Sequence, residues 1–274
     1  MIVKIGLIGC GAIGTTIAKA VEKGLLNNFT ITAIFDLCLE RAKELNKILS
    51  SPPFIASTFN SFLQQPLDLV IEAASPKAVE EYAEEVLLNH NDLMIMSVGA
   101  LLKNGLLKRL EEIAHKQGCR IYIPSGAIAG IDAIKAATLG GIEEVIITTR
   151  KRPESLKGAP YLEKKGIDLK TISSAILIYE GPAEEAVMFF PANVNVAAVL
   201  SLAGIGPKKT KVRVIADPHI DTNQHEIKVK GDFGEMVCLT ANFPCPDNPK
   251  TSYLAALSAI KTLEETTKVV RIGT

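Results

Sequence analysis

The stretch "IVKIGLIGCGAIG", residues 2–14, decides the fold. Up to Ile8 it is, Lys4 apart, an apolar run rich in β-branched residues, the pattern of a strand buried on both faces of a parallel sheet. Glycines then stand at Gly9, Gly11 and Gly14, and "TTIAKAVEKGLL" follows with Ile17, Ala18, Val21 and Leu25 at helical spacing. The GxGxxG pattern therefore falls where a strand becomes a helix. There Gly9 permits a tight turn, Gly11 lets the backbone approach a pyrophosphate, and Gly14 lets helix and strand pack closely. The helix N-terminus adds unpaired N–H groups and a positive dipole end. Gly9, Gly11, Ala12, Ile13 and Gly14 together make a candidate dinucleotide cradle.

Outward from the loop, the next apolar strand, "FTITAIFD", ends in Asp36. A carboxylate at that strand end hydrogen-bonds the adenosine ribose hydroxyls and repels a 2′-phosphate, which favours NAD over NADP. The plainer alternative is that Asp36 caps the helix beginning "LCLERAKELN". Strand and helix go on alternating through "DLVIEAA", "SPKAVEEYAEEVLLNH", "DLMIMSVGAL", "KNGLLKRLEEIAHKQG" and "CRIYIPSG". That alternation predicts a doubly wound sheet of Rossmann type over 1–124, with ligands at the carboxyl ends of the strands. Ser75 and Pro76 lie at one such end, as dinucleotide contacts or as caps of the next helix.

The texture changes after Pro124. "IEEVIITTRKRP", "LKTISSAILIYEG" and "KVRVIADP" read as strands, and "HEIKVKGDFGEMVCLTANF" as a hairpin turning at Gly231–Gly234. "GPAEEAVMFFPANVNVAAVLSLAGIG" between them reads as helical, interrupted near Pro191. The expected class is α/β, with a second α+β domain over 125–250 built on a mainly antiparallel sheet. The last segment, "NPKTSYLAALSAIKTLEETTK" from Asn248, is expected to open on a turn with hydroxyl caps and to form a helix, within 251–274, that packs back on the first domain.

Composition narrows the function classes. The 274 residues hold 30 Lys plus Arg against 30 Asp plus Glu, a net charge of zero. This argues against a nucleic-acid or anionic-membrane surface as the main business. The cysteines are an odd number, 5, scattered without CxxC spacing, and read as reduced thiols of a cytoplasmic protein. The N-terminal apolar run is too short and too Gly-broken for a signal peptide or membrane span.

Two of the 4 histidines, His219 and His225, share "ADPHIDTNQHEI", residues 216–227. A metal clamp would want further ligands at recognisable spacing, and none stands near; no metal is expected. His219 follows "DP" and reads as a solvated turn residue. His225 shares strand parity with Ile227 and Val229, so it is either a satisfied core histidine or a proton-handling group at the edge of a core. An imidazole titrating near ~6.5 suits the second role.

Several stretches together resemble the L-aspartate dehydrogenase family: "GLIGCGAIG", "EAASPKAVEEY", "PSGAIAGIDAI", "LKG" with "YEGPAEEA", "FPANVNVAA", "ADPHIDTNQHEI" and "NPKTSYL". They run from the first strand to the final helix, and the "FPANVNVAA" and "NQH" segments are far more specific than the glycine loop. The resemblance implies a homodimer that oxidises L-aspartate with NAD or NADP to iminoaspartate, which hydrolyses to oxaloacetate and ammonia or passes towards NAD synthesis. It makes His225 the catalytic residue, and Ala129 and Asn195 contacts near the nicotinamide, with Ala127 a neighbouring alternative to Ala129. Two substrate carboxylates call for cations or converging N–H donors. Lys250 is one candidate, and Ser125 with the Gly126 backbone another. The rival readings are a two-domain NAD(P)-dependent reductase of an imine or semialdehyde, and an NAD(H)-binding redox sensor without turnover.

Overall fold

The computed structural model describes residues 2–191, 193–245 and 248–273, with the side chains of 248–250 outside the description. The chain forms two compact units, one running to Pro124 and regaining Ala256–Val269, the other spanning Ser125–Ala255 and the residues from Val270 on.

The first unit alternates strand and helix: β1 (Val3–Ile8), α1 (Ala12–Glu22), β2 (Phe29–Phe35), α2 (Leu39–Lys47), β3 (Phe54–Ala56), α3 (Phe59–Leu63), β4 (Leu69–Glu72), α4 (Pro76–Leu88), β5 (Asp92–Ile95), α5 (Leu106–Gln117) and β6 (Ile121–Tyr122). The six strands are parallel in the order β3-β2-β1-β4-β5-β6. The order reverses between β1 and β4, so the crevice that such sheets offer a ligand opens at the carboxyl ends of these two strands. Both are apolar throughout their middles because helices cover both faces: Ile5, Leu7, Val70 and Ile71 are fully buried.

Two strands are shorter than the sequence suggests. β5 stops at Ile95 and runs into a 3-10 turn over Val98–Leu102, and β6 is only Ile121–Tyr122. β3 went unread because three residues show no alternation to detect.

The second unit contains α6 (Ile131–Ala137), β7 (Ile142–Lys151), α7 (Pro160–Lys165), β8 (Ile176–Pro182), α8 (Ala183–Phe189), α9 (Asn195–Ala203), β9 (Lys211–Ala216), β10 (Asn223–Gly231), β11 (Gly234–Asn242), β12 (Pro244–Cys245) and β13 (Asn248–Ser252), and shares α10 (Tyr253–Thr267) with the first. Its five-stranded sheet has the order β11-β10-β7-β9-β8, antiparallel except for β7 beside β9. Val145, Ile147, Val212, Val214, Ile227 and Val229 bury one face. The other face leaves Leu177, Val237 and Leu239 at least half exposed.

Two expectations need correction. "LKTISSAILIYEG" is not one strand: the Asp168 side chain accepts from the Lys170 N–H at 2.9 Å, turning Leu169–Thr171 into a 3-10 helix, and β8 begins only at Ile176. Asn248–Ser252 does not open the last helix as a turn. It pairs with β12, and α10 starts at Tyr253. Beyond that start, Ala259 and Leu263 of α10 join the core of the first unit with Ile5, Ile17 and Ile34.

Candidate active site

The first unit carries a cavity at the carboxyl ends of β1, β2 and β4. It measures about 310 Å³ and is lined by Gly9, Gly11, Asp36, Arg41, Ser75 and Tyr82 among others. Gly9 adopts φ +95°, and a Cβ there would lie 2.7 Å from the Ala73 carbonyl oxygen. A Cβ on Gly14 would meet the Gly9 carbonyl, whereas one on Gly11 meets nothing within 4 Å. The loop is thus closed beneath and open above Gly11, where α1 begins, which fits a pyrophosphate lying on the helix end. Ala12 and Ile13 form the first turn of α1.

Asp36 does not act as a helix cap: the N-cap of α2 is Cys38, without a side-chain cap bond. Instead Asp36 Oδ2 accepts from the Cys10 N–H at 2.8 Å and Oδ1 from the Cys38 N–H at 2.7 Å, tying the end of β2 to the glycine loop. Burial, with Asp36 adding, pushes the Cys10 thiol up to about 12, so it is a neutral packing group. Ser75 caps α4, its hydroxyl accepting from the Ala78 N–H at 3.2 Å, and Pro76 takes the first helical position. Ser75 also lines the cavity.

Beneath this rim lies a residue that sequence reasoning missed. Glu72 is buried at the end of β4, and its Oε1 accepts from the Ala74 and Ser75 N–H groups and the Ser97 hydroxyl at 2.8–2.9 Å. Its Oε2 accepts from the Ser97 N–H at 2.9 Å. Burial pushes its carboxyl upward against these bonds. An acid ending the otherwise apolar "LVIE" was the available signal.

The second unit supplies a polar cluster on the buried face of its sheet. His225 on β10 pairs with Thr149 on β7 and Thr240 on β11, so the three side chains form one row across the strands. Asn223 pairs with Asn242, and Gln224 with Arg150; one more step of the same register sets Lys151 opposite Asn223. Because side chains alternate, Lys151, Asn223 and Asn242 form a second row on the same face. Beyond the rows the face is apolar, with Ile147 and Ile227 next.

Five of the six are buried, and Thr240 is half-buried. The His225 Nδ1 lies 3.0 Å from the Thr149 hydroxyl, and Nε2 has no hydrogen-bond partner among the described residues. Burial first, and the Lys151 charge second, lower the His225 imidazole to about 3, so the ring is neutral. Burial lowers the Lys151 ammonium to about 8. Lys151 Nζ donates to Asn193 Oδ1 at 3.4 Å. The buried Asn223 Nδ2 has no hydrogen-bond partner among the described residues.

Thr149, Lys151 and Asn223 were also missed from the sequence. Parity held a signal: in "VIITTRK" a lysine and a threonine fall on the face of Val145 and Ile147.

The remaining expected residues separate. Ala127 is buried and its carbonyl accepts from Thr240 Oγ1 and Asn242 Nδ2, both at 2.9 Å, while Ala129 is exposed. Asn195 opens α9, half-buried. Ser125 is half-buried, and Gly126 turns with φ +71°. The backbone of Lys250 lies in β13, not at a helix start, and its side chain is outside the described residues. His219 is exposed in a turn, its N–H donating to Asp217 Oδ1 at 2.9 Å and its Nε2 lying 3.0 Å from the Ser173 carbonyl. Among the described residues no group of three or more His, Cys, Asp or Glu is arranged to hold a metal ion.

Comparison with known proteins adds to this geometry. Residues 132–266 match the family model described as "Aspartate dehydrogenase, C-terminal", and residues 9–124 the one described as "Homoserine dehydrogenase, NAD binding domain". The chain is 50% identical to an L-aspartate dehydrogenase of Methanosarcina barkeri and 45% identical to one of Nitrosopumilus maritimus, each over 99% of both chains. It superposes on the crystal structure of an aspartate dehydrogenase from Thermotoga maritima with a TM-score of 0.74, at 27% identity and over 100% of both chains.

Proposed function

The chain belongs to the L-aspartate dehydrogenase family, and from that premise we propose the chemistry of its two units. It is an oxidoreductase that acts on the CH–NH2 group of L-aspartate with a pyridine nucleotide. The product iminoaspartate hydrolyses to oxaloacetate and ammonia, or is consumed in pyridine-nucleotide synthesis. Bound nucleotide supplies the hydride acceptor. Gly9, Gly11, Ala12, Ile13 and Gly14 hold its pyrophosphate, Asp36 its adenosine ribose, and Ser75 and Pro76 edge the same site. Ala129 and Asn195 meet its nicotinamide end.

Asp36 favours NAD, and Arg41 in the same cavity offers a guanidinium to the 2′-phosphate of NADP, so both nucleotides are accepted with NAD preferred.

The observation that carries the catalytic assignment is the neutral, buried His225 held at Nδ1 by Thr149. With the Thr149 hydroxyl accepting from Nδ1–H, Nε2 presents a lone pair. That nitrogen takes the proton lost by the amine or by the water that adds to the imine; both tasks ask for the same neutral ring. Ser125 and the Gly126 N–H are donors for one of the substrate carboxylates.

Absorbance at the nicotinamide band tests the reading directly. L-aspartate with NAD should give reduced nucleotide, more slowly with NADP, and D-aspartate, L-glutamate and L-homoserine should give little. His225→Ala should lower turnover by roughly 10²–10⁴ with the fold intact; a nearly unchanged rate removes His225 from the mechanism. Asp36→Ala should shift preference towards NADP, read as the ratio of kcat/KM values.

Among the described residues no helix is long and apolar enough to cross a membrane, in keeping with a cytoplasmic enzyme. The open face of the five-stranded sheet, with Leu177, Val237 and Leu239 exposed, suits a second copy of the chain. The working enzyme is a homodimer.

A further inference from the structure

We propose that Lys151 and Asn223 form the seat of a substrate carboxylate, on the row of the sheet next to His225. This rests on the aspartate reading and deepens it.

Three observations carry it. First, the register puts the two residues opposite each other on β7 and β10, one row from the His225 row, about 7 Å along the strand. Second, the Asn223 side-chain N–H is buried without a hydrogen-bond partner among the described residues, a costly state that an acceptor arriving from outside would relieve. Third, Lys151 brings an ammonium to the same buried face, and nearby Asn193 receives one of its N–H bonds through Oδ1. An ammonium beside an amide N–H presents donors and positive charge. The complement is an anion with acceptor oxygens, and of the groups that aspartate carries this is a carboxylate; its ammonium would be repelled.

The placement also couples binding to chemistry. The Lys151 charge helps keep His225 from holding a proton. A carboxylate seated on Lys151 offsets that charge, so the imidazole becomes a better base when substrate is present.

Succinate, a dicarboxylate without the amine, is the probe. Its affinity for the enzyme with NADH bound is measured by calorimetry, with NADH affinity and Tm followed in parallel. Lys151→Met and Asn223→Leu should each weaken succinate binding by at least about tenfold, with NADH affinity and Tm retained.

His225→Ala should keep succinate binding while losing turnover. Unchanged succinate affinity in both variants, in an enzyme that oxidises L-aspartate, overturns the seat and leaves the aspartate reading standing. Loss of succinate binding that merely tracks loss of NADH binding overturns it too. A wild type that binds succinate through Lys151 yet never oxidises L-aspartate keeps the seat and overturns the aspartate reading instead.

Discussion

The buried imidazole proposed as the proton-handling group also makes stability depend on pH. His225 is neutral in the fold down to about pH 3, whereas in the unfolded chain it takes a proton near ~6.5. Its folded pKa is depressed, so its contribution is present above ~6.5 and is lost as pH falls from there towards 3. Between pH 7 and 5 the loss should be roughly 2 kcal/mol. Urea unfolding at the two pH values, in wild type and in His225→Leu, checks this: the variant should show the smaller drop, and equal drops would mean the ring is solvated. At this scale the sequence was half legible. The face that His225 shares with Ile227 and Val229 was readable by parity. Lys151 sat in plain view on an apolar parity, but one lysine at a strand end reads as a solvated tip until the neighbouring strands are known. The unpaired amide of Asn223 was beyond reach, because whether a donor is satisfied depends on partners far away in the chain.

At the scale of elements, the loop between β1 and α1 separates two uses of glycine. Gly14→Ala drives a Cβ into the Gly9 carbonyl and should destabilise the first unit by roughly 1–3 kcal/mol. Gly11 has φ −78°, ordinary for alanine, and open space above it. Gly11→Ala should therefore leave Tm nearly unchanged while weakening NADH binding, since the added methyl occupies ground a pyrophosphate needs. Thermal melts and nucleotide fluorescence distinguish the two; equal melting losses would refute the distinction. Long elements were readable because buried strands are uniformly apolar and hairpin turns carry glycine. The shortest were not: β3 and β13 owe their existence to a neighbouring strand, not to a pattern of their own, and β6 keeps only two residues of its apolar run.

At the scale of the molecule, the residues proposed for nucleotide binding belong to one unit and those proposed for proton handling to the other, and one face of the five-stranded sheet leaves Leu177, Val237 and Leu239 exposed. Leu239→Asp, with the neighbouring Val237→Asp, should convert a dimer to monomers in light scattering while each chain stays folded. A dimer that survives both changes uses another surface. The division after Pro124 was visible as a change from β-branched runs to alternating ones. The return of Ala256–Val269 to the first unit's core was expected from the helix's apolar spacing, but its exact start was hidden by the strand that precedes it.

The two polar rows on β7, β10 and β11 make this enzyme far more sensitive to chain length than to residue identity at certain places. A one-residue deletion in β10 between His225 and the hairpin turn, with the turn kept in place, would shift the register and turn His225 and Asn223 together to the opposite face, where Gln224 and Glu226 now stand. An insertion between Ala216 and Asn223 shifts nothing in the ladder. Frame within the sheet, not only side-chain choice, is what an evolving or engineered version of this chain must preserve.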